Sequence, residues 1–395
     1  MGDLVPAAPT EPVVIVGGAI VGSFCAWELR RAGYTGPITV VEQDPSYERS
    51  STALSAAAIR TQFGTPTCIA MSLHAVGLFR DLRLHFGDDA DIGYTEGGYL
   101  ILGAPDEIAE RCALAEMQRA HGADVEILDV GDLVDRWPHF DFDGVGIGTF
   151  GASGEGWFDA WSLLSLVRRA ARDAGVGYLH ARVVDFVTTG GSVSGVVLAS
   201  GEVLACAVCV IAAGAWSGRL AARLGIELPV VPKKRTVFSF QAPVPAGGFP
   251  MLFDTSGVWT RPDGDGFIGG IQPPPDADPD ADGDFEPHHE LFESVFWPHL
   301  AARVPAMDRL RLRRSWAGHY EVNQLDHNGV VGPHDGFTNL LFATGFSGHG
   351  VMHAPATGRG IAELVTAGRY TTIDLSPLGW ERVRDRRPMV EHIVY

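Results

Sequence analysis

Val13-Val14-Ile15-Val16-Gly17-Gly18-Ala19-Ile20-Val21-Gly22 is the stretch that decides the fold. Four β-branched residues in a row read as a strand buried on both faces of a parallel sheet, since polar alternation is needed only where one face meets water. The glycines that end the strand open a turn, and Ile20 to Ala32 reads as a helix whose N-terminus faces whatever sits on that turn. Ala19 stands where the second glycine of a dinucleotide turn lets the backbone approach a pyrophosphate. Its methyl group narrows that approach but keeps the turn and the helix N-terminus. Ile38-Thr39-Val40-Val41 is a second strand, closed by Glu42, a position from which a carboxylate accepts hydrogen bonds from a ribose. A carboxylate there repels a 2′-phosphate, so the expected ligand carries a free ribose, as FAD and NAD do. Gly17, Gly18, Ala19, Ile20, Val21, Gly22, Glu42 and Gln43 are the first candidate cofactor residues.

The composition around this unit points to a folded chain with a small-molecule ligand. At 395 residues there is room for two or three domains, and 46% hydrophobic against 20% charged residues is a globular balance. Thirty basic residues face 48 acidic ones. The net charge of −18 repels phosphate backbones and anionic lipid, so neither nucleic acid nor a membrane surface is an expected partner. Five cysteines spread along the chain form no secreted disulfide framework, and a cytoplasmic location is expected. Cys206-Ala207-Val208-Cys209 lies in the apolar run Val203 to Trp216, where residues three apart on one strand point to opposite faces; buried packing is expected there, not redox or zinc chemistry. That run is too short to cross a bilayer, and MGDLVPAAPTEP lacks the cationic and apolar stretches of an export signal.

Helical periodicity covers 53–86, 106–120, 161–174, 290–303 and 351–367. Strands read at 97–102, 183–187, 193–198 and 208–212, and a mostly β pattern runs from Arg235 to Ile271. Lys233 and Lys234, the only lysines in the sequence, precede the strand read at Thr236 to Phe240. Pro273 to Pro287 is a loop by composition. Its Asp278, Asp280, Asp282 and Gly283 imitate the start of a calcium loop, but His289 stands where a bidentate glutamate is required, so a solvated acidic loop is expected.

Three further segments resemble the D-amino-acid oxidase and sarcosine oxidase (DAO) superfamily of FAD-dependent oxidoreductases. Ser50-Ser51-Thr52 through Ser55-Ala56-Ala57-Ala58-Ile59-Arg60 resembles its small-residue segment under the pyrophosphate and flavin. Ala212-Ala213-Gly214-Ala215-Trp216-Ser217 resembles its A-x-G-x-W-S turn, and Gly345-Phe346-Ser347-Gly348-His349-Gly350-Val351 its last motif, at a helix N-terminus aimed at the flavin. Gly156-Trp157-Phe158-Asp159, Asp254-Thr255-Ser256-Gly257, Gly329 to His334 and Ile373 to Pro377 are similar to the branch that includes a mitochondrial complex I assembly FAD-dependent oxidoreductase. The resemblance implies an α/β fold: a Rossmann-like FAD-binding domain of the glutathione reductase type (12–90, 151–225, 335–395) with an inserted, mainly antiparallel β substrate domain (91–150, 226–334). It adds Ser50, Ser51, Thr52, Ser55, Ala56, Ala57, Val183, Val184, Ala213, Gly214, Trp216, Gly318, Gly345, Gly348, His349, Gly350 and Val351 to the cofactor residues. It implies noncovalent FAD, because the family's attachment cysteine and histidine fall on Gly318 and near Ser55.

By the same resemblance Arg60 stands where an arginine binds a substrate carboxylate, a role suited to its planar fork of donors. The alternative is a phosphate contact or a structural ion pair. Tyr320 matches a tyrosine that lines the substrate cavity, and His349 is read as a core ring or a proton-transfer group. Strand alternation puts His319 and Glu321 on the face opposite Tyr320. The sequence departs from sarcosine oxidases at two lysines, which align with Phe267 and Met352. The expected protein is an FAD-dependent amine or amino acid oxidase or dehydrogenase. Its substrate is a small amine, amino acid or related carboxylate, and its electron acceptor is O2 or another carrier. Oxidation of a 2-hydroxy acid, and a non-catalytic FAD-binding partner role, are the alternatives.

Overall fold

The computed structural model describes residue 8 and residues 10–274 and 277–391. Val13–Val16 lies inside a six-stranded sheet ordered Val330–Pro333, Leu340–Thr344, Val208–Ile211, Val13–Val16, Ile38–Glu42, Gly177–His180. All neighbours are parallel except Val330–Pro333, which runs antiparallel to Leu340–Thr344. The first strand is apolar throughout because both faces are covered. Helices Ile20–Arg31, Ala160–Asp173 and Gly350–Ala367 contribute to the core on one side. The antiparallel meander Val183–Thr189, Ser192–Leu198, Val203–Ala205 packs on the other. Cys206 and Cys209 are buried in that second layer.

The chain leaves this domain to build an eight-stranded sheet ordered Arg311–Asn323, Val230–Gln241, Gly266–Gly270, Trp259–Asp263, Met251–Phe253, Tyr99–Gly103, Ile147–Gly151, Val125–Leu128. It is antiparallel apart from the Met251–Phe253 and Tyr99–Gly103 pair. Alternation divides its side chains. Phe238, Phe240 and Phe267 pack with Phe249 and Phe296 on the outer face, and Val237, Trp259 and Ile268 look inward to Ala56, Ala58 and Trp157. The fold is α/β, a Rossmann-like domain with a mainly antiparallel β domain inserted in it.

Three local readings are revised. The periodicity over 53–86 is helical only at Pro66–Arg80 and Leu82–Phe86. The longer helix starts at Thr65, whose side chain accepts from the Cys68 N–H, with Pro66 in its first turn. The alanines before it are not free to coil: Trp316 Nε1 donates to Leu54 O at 3.0 Å, Arg261 donates twice to Ala56 O, and Ala58–Ile59 pairs with Gly156–Trp157. Lys233 and Lys234 do not precede a strand but lie within Val230–Gln241, opposite Tyr320 and His319. Val330–Pro333, in the stretch read as substrate domain, is hydrogen-bonded into the six-stranded sheet.

Candidate functional site

A cleft of about 1210 Å³ opens between the two sheets, and two helix N-termini face it. Neither Ile20–Arg31 nor Gly350–Ala367 is capped by its N-cap side chain, so first-turn N–H groups beyond the Ile20 N–H, which Thr52 takes, are left for a ligand. The helices approach closely where Gly358 meets Phe24: a Cβ on Gly358 would lie 2.6 Å from the Phe24 carbonyl carbon. That contact brings the N-cap positions Ala19 and His349 to the same side of the sheet.

The turn at Gly17 needs glycine for two reasons. Its φ is +103°, and a Cβ there would lie 2.2 Å from Ala212 O, in the second cofactor motif. Gly22 lets the helix sit on the turn, since a Cβ would lie 1.9 Å from Gly17 O. Glu42 Oε2 accepts the Gly18 N–H at 2.8 Å and Oε1 the Asp44 N–H at 2.9 Å, which fixes the carboxylate at the mouth of the cleft. Thr52 Oγ1 accepts the Ile20 N–H at 3.3 Å, and Ser51 Oγ donates to His319 O at 2.6 Å, so the 50–57 segment is held by both domains. These residues form a cradle that a dinucleotide fits: clearance at the turn, uncapped N–H groups and an oriented carboxylate.

Of the expected cofactor residues, Gly17, Ala19, Ile20, Val21, Glu42, Gln43, Ser50, Ser51, Thr52, Ser55, Val183, Val184, Ala213, Gly214, Trp216, Gly348, Gly350 and Val351 line this cleft, with Tyr320. Gly18, Gly22, Ala57 and Gly345 are not among the lining residues. Gly18 and Gly345 donate their N–H groups to Glu42 and Glu321. Ala56 and Gly318 line instead a smaller chamber of about 20 Å³ that shares Ser51, Ser55, His319 and Tyr320 with the cleft.

Arg60 is not presented to either cavity. Its side chain is 2% exposed, Nη1 donates to Gln62 O at 2.5 Å, Nη2 lies 3.1 Å from His349 Nε2, and the guanidinium sits 4.1 Å from the centre of the Phe63 ring. The Ala58–Ile59 pairing with Gly156–Trp157 turns the chain inward just before it. His349 is likewise buried, edge-on to Phe63. Burial first, and the Arg60 charge second, hold its imidazole well below the ordinary histidine range. It stays neutral and is not placed to exchange protons with the cleft.

Glu321 and His319, which alternation sets on the face opposite Tyr320, nevertheless line the cleft together with it. Arg311–Asn323 is an edge strand, and beyond it Val322 bridges to Phe346, so the cleft wraps its edge and meets both faces. Burial pushes the Glu321 carboxyl up to about 6 although it accepts from Thr344 Oγ1 and the Gly345 N–H. His319 Nε2 donates to Asp284 O at 2.7 Å and its ring stacks on Phe285 at 4.0 Å. Phe267, aligned with a family lysine, points away into the outer core, and Ile268 occupies the inward face. Met352 is buried in the helix.

Sequence reasoning also missed the role of the loop around Asp278–Asp284. It is not simply solvated: Arg235 grips Asp278 with two bonds of 2.8 and 2.9 Å, Lys233 Nζ lies 3.0 Å from Asp280, and Lys234 Nζ 2.6 Å from Asp284. The loop presents Gly283 and Phe285 to the cleft.

A family model described as FAD dependent oxidoreductase (DAO) matches residues 12–364. The chain is 37% identical over 432 residues to FAD-dependent oxidoreductase domain-containing protein 1 of Xenopus laevis, covering 99% of this chain and 85% of that protein. It is 27% identical to the glycine oxidase of Geobacillus kaustophilus, over 94% of this chain and 96% of the other. Among solved structures, L-proline dehydrogenase from P. horikoshii superposes with a TM-score of 0.84 at 26% identity, covering 96% of this chain and 99% of that one.

Proposed function

The chain belongs to the DAO family of FAD-dependent oxidoreductases, and on that premise we propose that it oxidises the C–N bond of a small amino acid or carboxylate-bearing secondary amine. FAD is its cofactor. When bound, FAD supplies a two-electron acceptor for a hydride. The observation that carries the reading is the chamber beside the cleft, where Ala56, Gly318, Tyr320 and Trp259 enclose a space that opens to the cofactor segment through Ser51 and Ser55. The names of similar proteins, a glycine oxidase and an L-proline dehydrogenase, support a small amino acid over a larger amine.

The chain's own residues orient and shield. Tyr320 packs on Gly348, where a Cβ would lie 2.5 Å from the phenol ring, so the substrate chamber and the cofactor loop share one wall. Leu54, Val237, Trp259 and Ile271 make that chamber largely apolar, which favours the neutral amine. The neutral amine gives up a hydride from its α-carbon, its nitrogen loses a proton to solvent, and the resulting imine is hydrolysed by water. The uncapped N-terminus at Gly350, with Arg60 buried behind it, favours negative charge arriving in the cleft. Ile268 and Met352 offer no charge for oxygen activation, which supports a dehydrogenase with another acceptor, or a slow oxidase.

Anaerobic mixing of the holoenzyme with panels of small amino acids, N-methyl amino acids and 2-hydroxy acids tests the reading. Flavin bleaching by amino or imino acids supports it. Bleaching by hydroxy acids alone, or by none of them, overturns it.

A further inference from the structure

Two buried side-chain donors on residues lining the chamber have no acceptor among the described residues. Arg235 Nε and Gln272 Nε2 are both shielded from solvent and without a hydrogen-bond partner among the described residues, and both residues line the same small space with Gly318 and Tyr320. The strands explain the convergence. Arg235 lies two residues before Val237 on Val230–Gln241, and Gln272 two residues beyond Gly270, and Val237 pairs with Gly270. Side-chain alternation sends Arg235 to the inward face, and Gln272, just past the end of its strand, lines the same space.

Neither donor is idle by accident of a loose side chain. Arg235 spends Nη1 and Nη2 on Asp278, and its guanidinium sits 5.5 Å from the Tyr320 ring. Asp278 takes both Nη atoms, Nη1 also donates to Lys234 O at 2.8 Å, and Nε is left over. An amide or guanidinium N–H buried without an acceptor is unfavourable, and it is retained where a ligand supplies the acceptor. Both residues line a space of about 20 Å³, and two unpartnered N–H donors beside it suit one planar group with two acceptor oxygens.

We propose that Arg235 and Gln272 form the carboxylate site of this enzyme, binding one oxygen each through Arg235 Nε and Gln272 Nε2, with Tyr320 as the adjoining wall. Arg60, held by Gln62 and His349, does not take this part. The walls beyond the donors, Leu54, Val237, Trp259 and Ile271, are apolar, so the carboxylate belongs to a monoanion with a small apolar body. Asp278 and Asp280 already balance Arg235 and Lys233, so a second carboxylate on the ligand would meet acidic neighbours. The anion site rests on the amine-oxidation reading only for the nitrogen expected next to the carboxylate.

The test uses holoenzyme and an unreactive probe, propionate, with propionamide as its uncharged control. Binding is read by the flavin difference spectrum and by calorimetry. Gln272→Leu removes one donor at similar volume, and Arg235→Lys keeps a charge for Asp278 while removing Nε. Each is expected to raise the propionate Kd about tenfold, with an unchanged flavin spectrum and melting temperature in Gln272→Leu. Gln272→Glu sets a carboxylate against the ligand and is expected to weaken propionate further while leaving propionamide unaffected. An unchanged Kd in Gln272→Leu, or no propionate binding to the native holoenzyme, overturns the assignment. If amino acids bleach the flavin but Gln272→Leu binds propionate normally, the site fails and the function stands. If nothing bleaches the flavin but propionate binding depends on Gln272, the function fails and the site stands.

Discussion

Arg60 Nη2 lies 3.1 Å from His349 Nε2 in the buried layer behind the cleft. Since a guanidinium can only donate, His349 Nε2 is the acceptor, and the ring carries its proton on Nδ1. The pair is thereby a support for the loop Gly345–Val351 and not a reactive couple. Arg60→Met leaves Gln62 O and His349 Nε2 without their donor, at about 1–3 kcal/mol for a buried group left unsatisfied. The expected outcome is a lowered melting temperature and a perturbed flavin spectrum, with substrate KM changed less than threefold. A tenfold rise in KM with an intact spectrum and stability would return Arg60 to the substrate.

His349 and His353, buried with their rings 5.9 Å apart, set an acid limit. Burial, then Arg60, lowers His353 to about 3 and His349 well below 6.5. In the unfolded chain both bind a proton below about 6.5, whereas His353 in the native state does so only near 3. The unfolded state therefore holds more protons throughout that window, and stability falls as pH falls from 6.5, by about 1.4 kcal/mol per pH unit for each group. Urea midpoints of the holoenzyme at pH 7.5, 6.0 and 5.0 should drop in that order. His353→Gln should lose less between pH 7.5 and 5.0 than the native chain, and parallel losses would refute this origin.

Much of the cofactor cradle was legible because it is local. A β-branched strand, a Gly17 turn, an uncapped helix and Glu42 lie within one short stretch, and the physics that shapes them is written in consecutive residues. The substrate side was less legible because it depends on which face a strand shows. Alternation sets His319 and Glu321 opposite Tyr320 but does not reveal that a cleft can reach both faces of an edge strand around its edge. Arg60 was read from its place in a motif, and only the pairing of Ala58–Ile59 shows that the chain has turned inward there. Arg235 and Gln272 carried a usable signal, two polar residues in phase with inward-facing Val237 and Gly270, but the phase emerges only once the strands are paired.

Glu42 offers a sharper test of the nucleotide end. Both its oxygens accept backbone N–H groups, from Gly18 and Asp44. Glu42→Gln keeps the size but turns an amide N–H₂ toward one of those donors. The ribose expected to donate to this carboxylate loses a charge-assisted bond of about 1.5–3 kcal/mol, which converts to a rise in FAD Kd of tenfold or more. Fluorescence titration of the apoprotein measures it, and an unchanged Kd would remove Glu42 from the nucleotide site.

The last prediction concerns the sequence's only two lysines. Both point at one acidic loop, Lys233 to Asp280 and Lys234 to Asp284, and that loop places Gly283 and Phe285 at the cleft while Asp284 O accepts from His319. The pairs are partly exposed, since the Asp280 and Asp284 side chains are 49% and 53% accessible. Each is therefore a weak pair that salt screens further, and losing one is expected to open the loop about fivefold at most. The FAD dissociation rate should rise severalfold between 0.05 and 1 M salt in the native holoenzyme, because a loop that loosens uncovers the cofactor. Lys234→Met should start faster at low salt, by about fivefold, and respond less to added salt. Stopped-flow transfer of FAD to an excess of another apoflavoprotein measures both rates. If salt and Lys234→Met leave dissociation untouched, the ion pairs fasten the loop without governing access to the cleft.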